Sequence, residues 1–157
     1  MNLKIKNKSN LIGVIGILVI VLITFLGFNQ YKKVNIEKFE AKFLACMELE
    51  LDTLYDKING IISQKEYVDE MRVNLQNYKD IKKGMPSDFK KEYEEFLEVL
   101  NSNVVNYADV NKVDREEEDL KRGNLIDKFN KVNEKRNINI DNRNKKVEKY
   151  IKEFSEK

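Results

Sequence analysis

Two patterns of apolar and polar positions divide the chain. From Leu11 to Phe28 every residue is apolar, Gly or Thr, eighteen in a row between Ser9-Asn10 and Asn29-Gln30. At about 1.5 Å per residue such a helix nearly spans a hydrocarbon core of roughly 30 Å, which predicts a transmembrane anchor over 11–28 behind a short basic tail, 1–10. A cleaved signal peptide is the rival reading, because Lys4, Lys6 and Lys8 precede the run. The length of the run, and the lack of a small-residue pair around Thr24 to Phe28, favour a single-pass anchor that is kept. Basic residues lie on both sides, with Lys32, Lys33, Lys38 and Lys42 following closely, so charge alone barely votes on orientation. A short basic tail ahead of an N-terminal anchor usually stays in the cytoplasm. The expected topology therefore puts the long C-terminal part outside the cell membrane.

Beyond the anchor the pattern changes to steps of three and four. Val34, Ile36, Phe39, Phe43, Met47, Leu51, Leu54, Ile58 and Ile61 predict a helix over about 31–59, ended by Asn59-Gly60. Ser63-Gln64-Lys65-Glu66 has the capping-box form, with Ile62 and Tyr67 placed as a hydrophobic staple, and opens a second helix over about 64–82. Gly84-Met85-Pro86-Ser87 is a boundary. After it Phe89, Tyr93, Phe96, Leu97, Leu100, Val104, Tyr107, Val110 and Val113 predict a third helix over about 88–121, bent at Asn101-Ser102-Asn103 and ended by Gly123. Short connections favour antiparallel neighbours. The fold class expected is mainly α: the anchor, then a narrow antiparallel helical bundle or extended hairpin of three to four long helices, with 29–123 as the bundle.

The remaining segment, 124–157, keeps a strict heptad. Ile126, Asn133, Ile140, Val147 and Phe154 fall at one core position; Phe129, Arg136, Arg143 and Tyr150 fall at the other. Its first reading is an amphipathic helix folding against the other three. A parallel coiled coil with a second copy, its register set by Asn133, is the alternative, and two arginines in the seam weaken it. Phe129, Asn133, Ile140, Val147, Tyr150 and Phe154 are the candidate partner-binding residues on this helix.

Composition narrows the function. Charged residues make up 36% of the chain, but 29 basic and 27 acidic residues nearly cancel. No net field favours nucleic acid. The absence of histidine removes the commonest general base and the His-bearing metal sites, and the single Cys46 supplies neither a disulfide nor a cysteine-rich site. The six glycines are scattered, so no phosphate-cradling loop is visible. Carboxylate-rich stretches, Arg115-Glu116-Glu117-Glu118-Asp119 and Glu92 to Glu98, read as solvated helix faces beside neighbouring lysines. Asn137, Asn139, Asp141 and Glu148 share EF-hand spacing, but Asn142 stands where glycine is needed. Tyrosines and phenylalanines fall on the apolar stripes and read as core. The expectation is no enzyme, no cofactor and no metal site, but a membrane-anchored scaffold or interaction protein of a bacterial cell envelope. Its partners are the membrane and another protein, or a second copy. The alternative is an extracytoplasmic sensory module signalling through a partner.

Overall fold

The computed structural model describes the backbone over residues 3–107 and 112–156, with side chains from residue 20 onward within those ranges. Five α-helices follow in order: α1 (Leu3–Ile58), α2 (Gln64–Ile81), α3 (Lys90–Asn106), α4 (Arg115–Arg136) and α5 (Ile140–Ser155), with 3₁₀ turns at Lys82–Gly84 and Ser87–Phe89. The described residues contain no strand, and the fold is mainly α. Contacts divide the chain into two units, Met1–Val34 and Asn35–Lys157.

In the first unit, the large apolar side chains from Ile20 to Phe28 are each more than half exposed, on every face of the helix. Among the described residues no helix is long and apolar enough to cross a membrane. Half of the expected anchor, residues 11–19, lies outside the described side chains.

In the second unit, α1 to α4 run alternately up and down. Asn74 of α2 reaches the Cys46 carbonyl of α1, and Tyr78 packs on Phe43. The Tyr93 hydroxyl of α3 donates to the Tyr78 carbonyl at 2.6 Å, while Gln64 at the other end of α2 meets the Tyr107 carbonyl. Lys128 and Lys121 of α4 pair with Glu92 and Glu95 of α3. One aromatic cluster joins all four helices: the Phe43 ring touches Tyr78, Tyr93, Phe96 and Phe129, with centroids 5.3 to 6.1 Å apart. Edge-on packing of this kind adds to the burial of each ring, which is worth about 1.5–3 kcal/mol.

The ends of α2 have a local cause. Ser63 accepts from the Glu66 amide, and the Glu66 carboxylate accepts from the Ser63 amide at 2.7 Å, which closes the capping box. These bonds also hold the Glu66 carboxyl below the usual carboxylate range. Upstream, Gly60 has φ of 70°, a left-handed conformation that a side chain disfavours.

The third helix differs from its sequence reading. It is not continuous over 88–121: α3 stops at Asn106, and α4 begins at Arg115 and passes through Gly123 without a break. Val110 of the expected stripe lies outside the described residues. The new start is capped by Asp114, whose side chain accepts from the Glu117 amide at 2.9 Å, and Glu116, Glu117 and Glu118 place negative charge in the first turn. Asn103 clamps this start by bonding both the amide and the carbonyl of Asp114. α3 is helical without a break through 101–103, where Asn103 spends its side chain on Asp114 instead of its own backbone.

The C-terminal heptad is also broken. Asn137 adopts a left-handed conformation (φ 50°), with the Ile138 amide bonding the Asn133 carbonyl, and the Asn139 side chain caps α5 by accepting from the Asn142 amide. Two short helices, α4 and α5, stand where one long helix from 124 to 157 was expected.

Candidate functional site

Helix α5 lies against α1 and forms one wall of an open groove. Leu44, Met47, Glu48 and Leu51 of α1 face Asn144, Val147, Glu148 and Ile151 of α5 across a space of about 360 Å³. Its floor is apolar and its charged lining groups are Glu48 and Glu148. From Leu51 the same face of α1 continues to Tyr55 and Ile58, and the three side chains are 51%, 64% and 74% exposed. Positions 44, 48, 51, 55 and 58 follow the helical repeat, so groove and stripe are one surface.

α5 is held by its buried Tyr150 and Phe154, which join the core, and by a set of polar contacts. Lys146 pairs with Glu37 at 2.7 Å, and Lys42 stands over the Tyr150 ring. Glu40, completely buried, accepts from Asn133 Nδ2 of α4 at 2.9 Å and lies 3.6 Å from Arg143 of α5. Three polar atoms of this junction have no hydrogen-bond partner: Glu40 Oε1, Asn133 Oδ1 and Arg143 Nε. Burial pushes the Glu40 carboxyl up to about 7, against the opposing pull of Asn133 and Arg143.

A second buried cluster sits where α1, α2, α3 and α4 meet. One guanidinium nitrogen of Arg122 lies 2.6 Å from both Glu50 and Glu118, and the group stacks over Phe96. Tyr78 donates to Glu50, and Asn103 donates to Glu118 at 2.7 Å. Burial raises the Glu50 carboxyl despite Arg122 beside it. It also opposes the Arg122 charge, yet the pull of Glu50 leaves that pKa above its ordinary value. Arg122 Nε is left without a hydrogen-bond partner, and the arrangement is a buried ionic knot, suited to fixing helix register.

A polar cleft of about 350 Å³ between α3 and α4 is lined by Glu95, Glu98, Asp114 and Glu117. Glu95 is paired with Lys121, and Asp114 is occupied as a helix cap. Among the described residues, no group of three or more acids or cysteines is placed to hold a metal ion.

The six residues singled out from the sequence are not one surface. Phe129, Asn133, Tyr150 and Phe154 are buried inside the second unit, Val147 is half-buried in the groove wall, and Ile140 is exposed. The buried Glu40, Glu50 and Glu118 were missed. The first two interrupt the apolar stripe between Ile36 and Leu54, and a charge at a core position of a helical repeat is the signal that marks them. Glu118, read as part of a solvated face, is only 5% exposed. Its sequence signal is Arg122 four residues on.

Set against protein-family models, curated proteins and solved structures, the chain matches none.

Proposed function

We propose that this chain is a membrane-tethered interaction protein, whose helical unit receives an amphipathic helix of a partner protein along the groove and stripe of α1. The observation that carries the reading is the continuity of that surface: the apolar Leu44, Met47 and Leu51 of the groove run on to Tyr55 and Ile58, and Leu51, Tyr55 and Ile58 are all more than half exposed. Single exposed apolar residues are ordinary, but a row at helical spacing that runs out of a groove matches helix-in-groove recognition. Covering each of the three side chains is worth about 1 kcal/mol, since roughly half of a full burial of 1.5–3 kcal/mol remains to be gained.

The tether is argued from the run Leu11 to Phe28. Seven large apolar side chains between Ile20 and Phe28 are 55 to 66% exposed, and removing them from water favours hydrocarbon by roughly 10 kcal/mol at the same rate. In a bacterial envelope, with the basic tail inside, the helical unit faces outward and serves as a scaffold or assembly factor.

Two measurements on the full chain in intact cells test this. With Cys46→Ala and Ser155→Cys, a membrane-impermeant maleimide labels the new thiol if the unit is outside; protection until lysis overturns the orientation. A photo-crosslinking residue at Tyr55 gives a discrete adduct that Leu51→Asp abolishes, while the same residue at Glu98 on α3 does not. Equal adducts at both sites, or none at Tyr55, refute the groove.

A further inference from the structure

We propose that α5 is a pH-governed latch, held down on α1 and α4 by the protonated carboxyl of Glu40 and loosened when that proton leaves. Glu40 is fully buried where three helices meet, and its junction is incomplete for a carboxylate. Asn133 Nδ2 donates to Oε2 at 2.9 Å, while Glu40 Oε1 and Asn133 Oδ1 are both without partners. These two orphans are the atoms that a carboxylic acid and an amide join: the acid O–H donates to the amide oxygen while the amide N–H donates to the acid carbonyl. A proton on Oε1 supplies the missing donor. The ion pair that would serve the charged form is weak, with Arg143 at 3.6 Å and its Nε unpartnered.

The charged groups acting on Glu40 are Arg143 of α5 and Glu37 of α1, and Glu37 is itself engaged by Lys146 of α5. α4 contributes the neutral Asn133. With α5 lifted, water reaches the carboxyl and its affinity for the proton falls from about 7 toward the ordinary value of 4.5. The docked state then binds more protons between those two values. Docking is tightest below about pH 4.5, weakens by up to tenfold per pH unit as pH rises, and levels off above 7, a total change on the order of 10²-fold. Because α5 is one wall of the groove, its release dismantles that surface. The latch itself stands whether or not the groove has a partner.

Amide hydrogen exchange of the full-length protein in detergent, between pH 5 and 8, reads this directly. Expected is a fall of α5 protection factors on the order of tenfold per unit from pH 5 to 7, flat above, with α3 following much less. Glu40→Gln, which keeps the amide pairing without a titratable proton, leaves α5 protected at every pH. Arg143→Gln, which removes the cation that lowers Glu40, extends the fall to higher pH and keeps the proposal testable should the first variant fold poorly. Protection that rises with pH would mean that α5 is held by an ionised Glu40 and Arg143, and would overturn the proposal. So would α5 protection that is flat with pH, or that tracks α3.

Discussion

Replacing Arg122 with methionine should strongly destabilise the helical unit. The substitution keeps an apolar side chain over Phe96 and removes one cation from between two carboxylates, Glu50 and Glu118, which are 8% and 5% exposed and each 2.6 Å from the same nitrogen. Breaking a buried ion pair by deleting one partner typically costs about 3–5 kcal/mol, because the surviving charge stays in a medium that solvates it poorly. Here two charges survive. Tyr78 and Asn103 each still donate one hydrogen bond, which keeps the expectation inside that range rather than above it. For a unit of this size the loss corresponds to a fall in Tm of roughly 10–20 °C. The loss also depends on pH. Glu50 is already raised by burial, and without Arg122 it rises further, so the folded variant holds a proton that the unfolded chain releases. Its stability is then greatest in acid and is lost as pH rises through the raised folded value. Thermal melts followed by circular dichroism at pH 5 and pH 8 should show a larger deficit for the variant at pH 8. Adding Glu50→Gln and Glu118→Gln should recover most of the loss, since no buried charge then remains. A deficit below about 1 kcal/mol, or an equal one at both pH values, would refute the account of the knot as a set of desolvated charges.

Two glycines should respond oppositely to alanine in the same melts. Gly123 is exposed inside α4 with open space around it, so Gly123→Ala should stabilise by about 0.5–1 kcal/mol; Gly60, at φ 70°, should lose about as much on Gly60→Ala. Ser63→Ala removes the hydroxyl from the capping box and should cost about 1 kcal/mol, with faster hydrogen exchange confined to the first turn of α2.

How much of this was legible in the sequence depends on the range of the interaction involved. The end of α1 and the start of α2 were readable because their signals are local: Ser63 and Glu66 satisfy each other across three residues, and Gly60 supplies a conformation that other residues avoid. Gly123 misled, because a glycine ends a helix only when the backbone turns there. Packing of Leu125 and Phe129 on one side and the Arg122 knot on the other carry α4 straight through it. The true boundary had a local signal too, in Asp114 followed after Arg115 by three glutamates, which is an N-cap with an acidic first turn. That signal was spent on the idea of a solvated charged face. Asn137 likewise needed a left-handed backbone that its sequence permits but does not demand.

The seam of 124–157 carries the more general lesson. A heptad records that one face of a helix is covered; it does not record whether the cover belongs to the same chain. Phe129 meets Phe39, Phe43 and Phe89, and Asn133 Nδ2 donates to Glu40, so these two seam positions are engaged inside this chain, as the first reading of the segment expected, while Ile140 stays exposed. The arginines that seemed out of place in a coiled-coil seam are explained in the same way. Arg136 reaches Asp88 at 3.1 Å, and Arg143 reaches toward Glu40, whose position in the stripe of α1 is equally anomalous. Two misfits in separate helices, one of each charge, are therefore better read together than apart. A cation in one apolar seam and a carboxylate in another predict that the two seams face each other, and that inference needed only the sequence.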